Sequence, residues 1–200
     1  MPASAVPASA ESAPAEPASS EPASSEPASA AVPGASAGPA DVADYPQPGV
    51  VFKDITPLLA DGKALAAVVS ALAEGHGPVD KVAGIEARGF ILAASVACQL
   101  GSGFVPVRKQ GRLPGPTYAR SYQLEYGTAT IEVHQDAFTP GERVLIVDDV
   151  LATGGTAEAT ADLVRHAGAE VAGIAVILEL GFLGGRGRLA EQNLRSLLVV

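Results

Sequence analysis

Beyond residue 44 the chain alternates two kinds of hydrophobic pattern. Short, continuous aliphatic runs at 81–85, 104–107, 144–147 and 171–178 read as strands buried on both faces of a parallel sheet. Between them lie stretches with helical spacing. In 61–74 the apolar positions Leu65, Val68, Val69 and Leu72 form one face, and Gly75 and Gly77 follow as a stop. Residues 90–99 predict an apolar helix, 157–167 a helix ending near Gly168, and 186–192 a short one. Residues 50–52 and 197–200 add a first and a last strand. This β-α-β rhythm predicts an α/β fold built on a doubly wound, mostly parallel sheet.

One region departs from that rhythm. Residues 111–122 are rich in Gly, Pro, Arg and Tyr without periodicity, which predicts a mobile loop. Residues 123–126 and 130–134 alternate around Gly127 and predict an antiparallel hairpin outside the main sheet. A polar loop running into a hairpin, together 108–134, reads as a lid that excludes water from a reactive site.

Composition separates residues 1–40 from the rest. They are almost entirely Ala, Pro, Ser, Glu, Val and Gly, with EPASS at 16–20 and 21–25 and EPASA at 26–30. Such a segment cannot bury enough apolar surface to offset an ordering cost of about 1–2 kcal/mol per residue. It predicts a disordered acidic tail ahead of one folded domain over 41–200. An interaction or localisation role for the tail stays open. The tail lacks the basic start and apolar core of a secretory signal, and no uncharged apolar span is long enough for a membrane helix.

The net charge is −9, of which −5 remains on 41–200 once Glu11, Glu16, Glu21 and Glu26 are set aside. An acidic body without a basic stripe argues against nucleic acid as a partner. The single cysteine, Cys98, makes no internal disulfide, fits a reducing cytoplasm, and reads as a small core residue. His76, His134 and His166 show no metal-ligand spacing.

The chemistry concentrates in VLIVDDVLATGGT, residues 144–156. A buried strand ends in Asp148 and Asp149, and Ala152, Thr153, Gly154, Gly155 and Thr156 lead into a helix. Small residues there let backbone amides converge on an anion at the helix N-terminus, and the threonine hydroxyls add donors. Two carboxylates would repel a bare phosphate. They suit a ligand with a phosphate at one end and a ribose diol beside it, because acidic oxygens accept from hydroxyls. No G-x-x-x-x-G-K-[ST] loop occurs, and Gly101 and Gly103 lack the third glycine of a dinucleotide loop.

This stretch closely resembles the phosphoribosyl-pyrophosphate motif of the type I phosphoribosyltransferases, which transfer ribose 5-phosphate to a nitrogenous base. Three other segments resemble the family's adenine-specific branch: DYPQPGVVFKDI at 44–55, EARG at 86–89, and RKQGRLPGPT with YQLEYG between 108 and 127. The resemblance covers about 44–200. It implies a small hood over the purine at about 44–59, with Phe52 stacking on adenine and backbone near Val51 and Lys53 reading its edge. The family usually has Arg where this chain has Lys53, a change that a backbone contact survives. The loop 86–89 is implied to hold pyrophosphate through Arg88 and to contain a non-prolyl cis peptide.

Arg108 and Lys109 are implied to assist at the pyrophosphate and to reach a neighbouring subunit, and Tyr126 to cover the donor. Glu125 is implied to be the catalytic residue, transferring the purine proton. Mg²⁺ is implied as cofactor, held mainly by the donor's pyrophosphate and hydroxyls, with no metal ligand directly from the protein. The implied activity makes AMP and pyrophosphate from adenine and phosphoribosyl pyrophosphate, in a homodimer. Two alternatives remain: transfer to another purine, or a non-catalytic regulator that binds the donor. The family's N-terminal helix, with a basic residue just before the hood, is replaced here by the low-complexity tail.

Overall fold

A computed structural model describes residues 37–45, 47–123 and 127–200. Most of the tail, together with Glu125 and Tyr126, lies outside the described residues. Seven strands form one sheet: β3 (Lys81–Ile85), β4 (Gly103–Lys109), β5 (Thr117–Gln123), β6 (Thr128–His134), β7 (Arg143–Leu151), β8 (Glu170–Glu179) and β9 (Leu194–Val199). Their order is β5-β6-β4-β3-β7-β8-β9. From β4 to β9 every pairing is parallel, whereas β6 pairs antiparallel with both β4 and β5. A separate two-stranded sheet joins β1 (Ala40–Ala43) to β2 (Val51–Asp54) in antiparallel register.

Alternate side chains of the central strands feed two cores, as a period of two requires. Val144 and Ile146 of β7 enter one, beneath α4 (Gly155–His166). Leu145 and Val147 enter the other, beneath α1 (Thr56–Ala60), α2 (Gly62–Ala73) and α3 (Gly89–Leu100). Helices therefore cover both faces, as the aliphatic runs predict. Asp61 caps α2, accepting from the Lys63 and Ala64 amides. Gly89 opens α3 directly against β7. A Cβ at that position would stand 2.8 Å from Asp148 Oδ1 and 3.0 Å from the Val147 carbonyl oxygen.

Several boundaries differ from the sequence reading. The predicted loop 111–122 gives way to strand β5 from Thr117 onward, and the hairpin predicted outside the main sheet instead continues it, because β6 pairs with β4. Both faces of β5 are largely exposed, so it shows little apolar alternation, and only Tyr118 and Tyr122 pack onto the core. The predicted end of a strand at Asp148 is also wrong. β7 continues to Leu151, because its pairing with β8 runs on to Leu151 opposite Glu179. The helix predicted at 186–192 shrinks to α5 (Gly185–Arg188), a single turn limited by its glycines. β4 extends through Arg108 and Lys109, placing both within a strand. Cys98 is exposed on α3, not in the core.

Candidate active site

The carboxyl ends of β3, β4 and β7 bring three sequence-predicted segments together. After β3 the Glu86–Ala87 peptide is cis, and the chain then turns into α3. Glu86 reaches across to β4. Its Oε2 accepts from the Lys109 amide (3.0 Å) and from Arg108 Nε (3.2 Å). Arg108 also donates through Nη1 to the Arg112 carbonyl (3.0 Å). Burial opposes ionisation of Glu86, yet the Lys109 amide and Arg108 hold its carboxyl below the usual range. Arg108 is thus fixed in place by a carboxylate and a carbonyl.

Arg88 stands between two other predicted groups. Its Nη2 forms an ion pair with Asp149 Oδ2 at 2.6 Å, and its guanidinium carbon lies 5.1 Å from the Phe52 ring centroid. Asp149 is buried, and its Oδ2 accepts no hydrogen bond of good angle, so the ion pair is its principal neutralising contact. Tyr45 packs edge-on against Phe52 at 5.2 Å. Asp148, half-buried, accepts from the Asp149 amide (2.9 Å). Desolvation first, and the adjoining Asp149 carboxylate second, raise the Asp148 carboxyl well above the usual range. The two acids therefore differ in character: Asp149 is paired with a cation, and Asp148 favours its neutral form.

A cleft of about 980 Å³ opens beside them. Its floor is the predicted phosphate loop, Ala152, Thr153, Gly154, Gly155 and Thr156, with Asp148 at one end. Gly154 takes a left-handed conformation (φ 82°) and Gly155 starts α4, so the loop runs directly into a helix N-terminus. The β1–β2 segment contributes Val51 and Lys53 to the lining, with Asp41, Gly49 and Val50. The Lys53 ammonium is held by Asp41 at 2.6 Å.

The sequence reading missed five apolar lining residues: Val150, Leu180, Phe182, Leu183 and Val200. Phe182 is 78% exposed at the cleft rim, an unusual exposure for an aromatic. An aromatic inside the glycine-rich GFLGG was the available signal. Glu132 was missed too. Buried on β6, it accepts from the Arg112 and Leu113 amides (3.0 Å each) and anchors the loop before β5. Burial works against its ionisation, but those amides, with that of Gly111 and the Thr117 hydroxyl, hold the carboxyl below the usual range.

A family profile for the phosphoribosyl transferase domain matches residues 52–192. The chain belongs to the phosphoribosyltransferase family. Within this family it is 64% identical over 166 residues to an adenine phosphoribosyltransferase of Streptomyces coelicolor, covering 80% of this chain and 91% of that one. A crystal structure of the adenine phosphoribosyltransferase of Rhodothermus marinus superposes with a TM-score of 0.77 at 54% identity, covering 81% of this chain and 94% of that one. The Giardia lamblia enzyme, solved with 9-deazaadenine, gives a TM-score of 0.76 at 38% identity, covering 81% of this chain and 93% of that one. The fold is that of the type I phosphoribosyltransferases, a mostly parallel sheet with an antiparallel hairpin at its edge.

Proposed function

We propose that this phosphoribosyltransferase transfers 5-phosphoribose from phosphoribosyl pyrophosphate to adenine, releasing AMP and pyrophosphate. The observation that carries the reading is the cleft itself. The loop 152–156 at a helix N-terminus, Asp148, and Val50, Val51 and Lys53 of the β1–β2 segment line one cleft of about 980 Å³. The donor's 5-phosphate sits on Ala152, Thr153, Gly154, Gly155 and Thr156. Asp148 and Asp149 accept from the ribose hydroxyls. Arg88, Arg108 and Lys109 receive the pyrophosphate, and Tyr126 helps cover it. Adenine stacks on Phe52 and is read by backbone near Val51 and Lys53. The apolar lining residues then close over its other face.

Pyrophosphate leaves C1′ with the electron pair of the C–O bond, and positive charge builds on the ribose. The lone pair of adenine N9 forms the new C–N bond, while Glu125 takes up the purine proton. Asp149 is paired with Arg88 and Asp148 favours its neutral form, so neither is a ready Mg²⁺ ligand, and among the described residues no three metal-binding side chains converge. A Mg²⁺ ion would therefore be held mainly by the donor's own pyrophosphate and hydroxyls. When present, Mg²⁺ neutralises charge on the leaving pyrophosphate.

The enzyme unit reaches back at least to Ala37, which packs on the core beneath α1–α3, and β1 starts at Ala40, so the tail outside it is shorter than 1–40. A homodimer is consistent with the partly uncovered apolar side chains Ile91 and Phe104, the latter edge-on to Phe90 at 5.9 Å. A cytoplasmic location fits the lone cysteine. Conversion of labelled adenine to AMP, with guanine and hypoxanthine as competing bases, tests the activity. Saturable, donor-dependent AMP formation that guanine does not suppress supports it; no AMP with donor and magnesium present overturns it.

A further inference from the structure

We propose that Arg186 is a positioning residue for the donor's phosphate loop, acting through the backbone of Gly185. This rests on the assignment of residues 152–156 to the donor's 5-phosphate. After β8 the chain makes a tight turn, Gly181–Leu183, and enters α5 immediately behind that loop. The approach there leaves no room for a side chain. A Cβ on Gly185 would clash with the Ala152 carbonyl oxygen and stand 2.9 Å from the Gly154 amide nitrogen. From the other side, a Cβ on Gly154 would stand 2.7 Å from the Gly185 carbonyl oxygen. The loop's main chain is therefore backed by the main chain of α5, with nothing between them to yield.

What seats α5 there is a buried carboxylate. Glu179, at the end of β8, is only 4% exposed. Arg186 grips it in a forked arrangement, Nε donating to Oε1 at 2.9 Å and Nη2 to Oε2. Ser196 of β9 donates to the same Oε2 and accepts from Arg186 Nη2 at 2.6 Å. The Arg186 hydrogen bonds hold the Glu179 carboxyl below the usual range. A second tie runs from Arg188 Nη1 to Glu158 Oε2 on α4 at 3.2 Å. The clip thus joins the ends of β8 and β9 to the turn that supports the loop. A bidentate pair fixes direction as well as distance, and a displacement of 1 Å at a ligand-holding group can cost on the order of 10²-fold.

The two ends of the donor provide a test that separates positioning from general stability. Ribose 5-phosphate engages the 152–156 loop, whereas free pyrophosphate engages the 86–89 and 108–109 segments. The full chain and its Arg186→Ala, Arg186→Lys, Gly185→Ala and Ser196→Ala variants are titrated calorimetrically with each compound, and their melting temperatures are recorded. The expected result is a loss of roughly ten-fold or more in ribose 5-phosphate affinity for Gly185→Ala and Arg186→Ala, and a smaller loss for Arg186→Lys. Pyrophosphate affinity stays within about two-fold, and the KM for the donor rises while that for adenine does not. Equal losses for both compounds, or no loss in variants that melt cooperatively, overturn the proposal. If Arg186→Ala does not fold, Arg186→Lys and Ser196→Ala decide by the same criterion. A Thr156→Val control that leaves ribose 5-phosphate binding intact would instead refute the assignment of the loop.

Discussion

The Arg88 guanidinium bridges Asp149 and Phe52: it pairs with Asp149 at 2.6 Å and lies 5.1 Å from the Phe52 ring centroid. One cation thus neutralises the carboxylate proposed for the sugar and rests against the ring proposed for the base. A ligand on either residue would have to share those contacts.

Replacing Arg88 by Ala removes a cation from the pyrophosphate position and leaves Asp149 buried without its partner. Charge-assisted hydrogen bonds contribute about 1.5–3 kcal/mol, so pyrophosphate affinity is expected to fall by roughly 10- to 100-fold. Calorimetric titration with pyrophosphate measures this directly. An unchanged affinity would remove Arg88 from the donor site.

Phe52→Ala should weaken adenine selectively. A base stacked on an aromatic ring gains about 1–3 kcal/mol, which corresponds to a rise of roughly five- to 150-fold in the KM for adenine. The KM for the donor should move little. Steady-state kinetics with each substrate varied in turn distinguishes this from a collapse of the hood.

Glu125→Gln keeps the size and removes the proton acceptor. Turnover should drop by about 10²–10⁴-fold, the usual contribution of general acid–base catalysis, with donor binding unchanged. Turnover near the wild-type rate would reassign the proton to another group.

Asp148 gives a pH signature. Its folded-state carboxyl titrates above the ordinary value, so the native state favours the protonated form. Its contribution to stability is fully present below the unfolded pKa of about 3.9 and is lost as pH rises through the folded value. Asp148→Asn should therefore melt higher than wild type at neutral pH, with the gap closing toward pH 4, while losing donor affinity. Thermal unfolding across that pH range checks the sign. A variant that melts below wild type at pH 7 would contradict it.

Much of this arrangement was legible in the sequence, because the donor motif is local. A buried strand, two acids and a glycine loop lie within thirteen consecutive residues, 144–156, and each piece has its own physical signature. The parallel core was equally legible, since strands covered on both faces must be continuously apolar. β5 was not, because an edge strand that buries only Tyr118 and Tyr122, and those only in part, has too weak a period to read. The clip of Glu179, Arg186 and Ser196 was hidden for a different reason. Its members are spread over eighteen residues, and their effect passes through a backbone contact between two glycines. Nor does any pattern announce Glu132, whose partners are amides of a loop reached only after the hairpin folds back.

The missing β-carbon of Gly89 carries a mechanical consequence. Because α3 rests on the Val147 carbonyl and the Asp148 side chain with no spacer, the residue just before it, Arg88, is registered to Asp149 by main chain as well as by the ion pair. The close seam between helix and strand thereby couples the position proposed for pyrophosphate to the one proposed for the sugar.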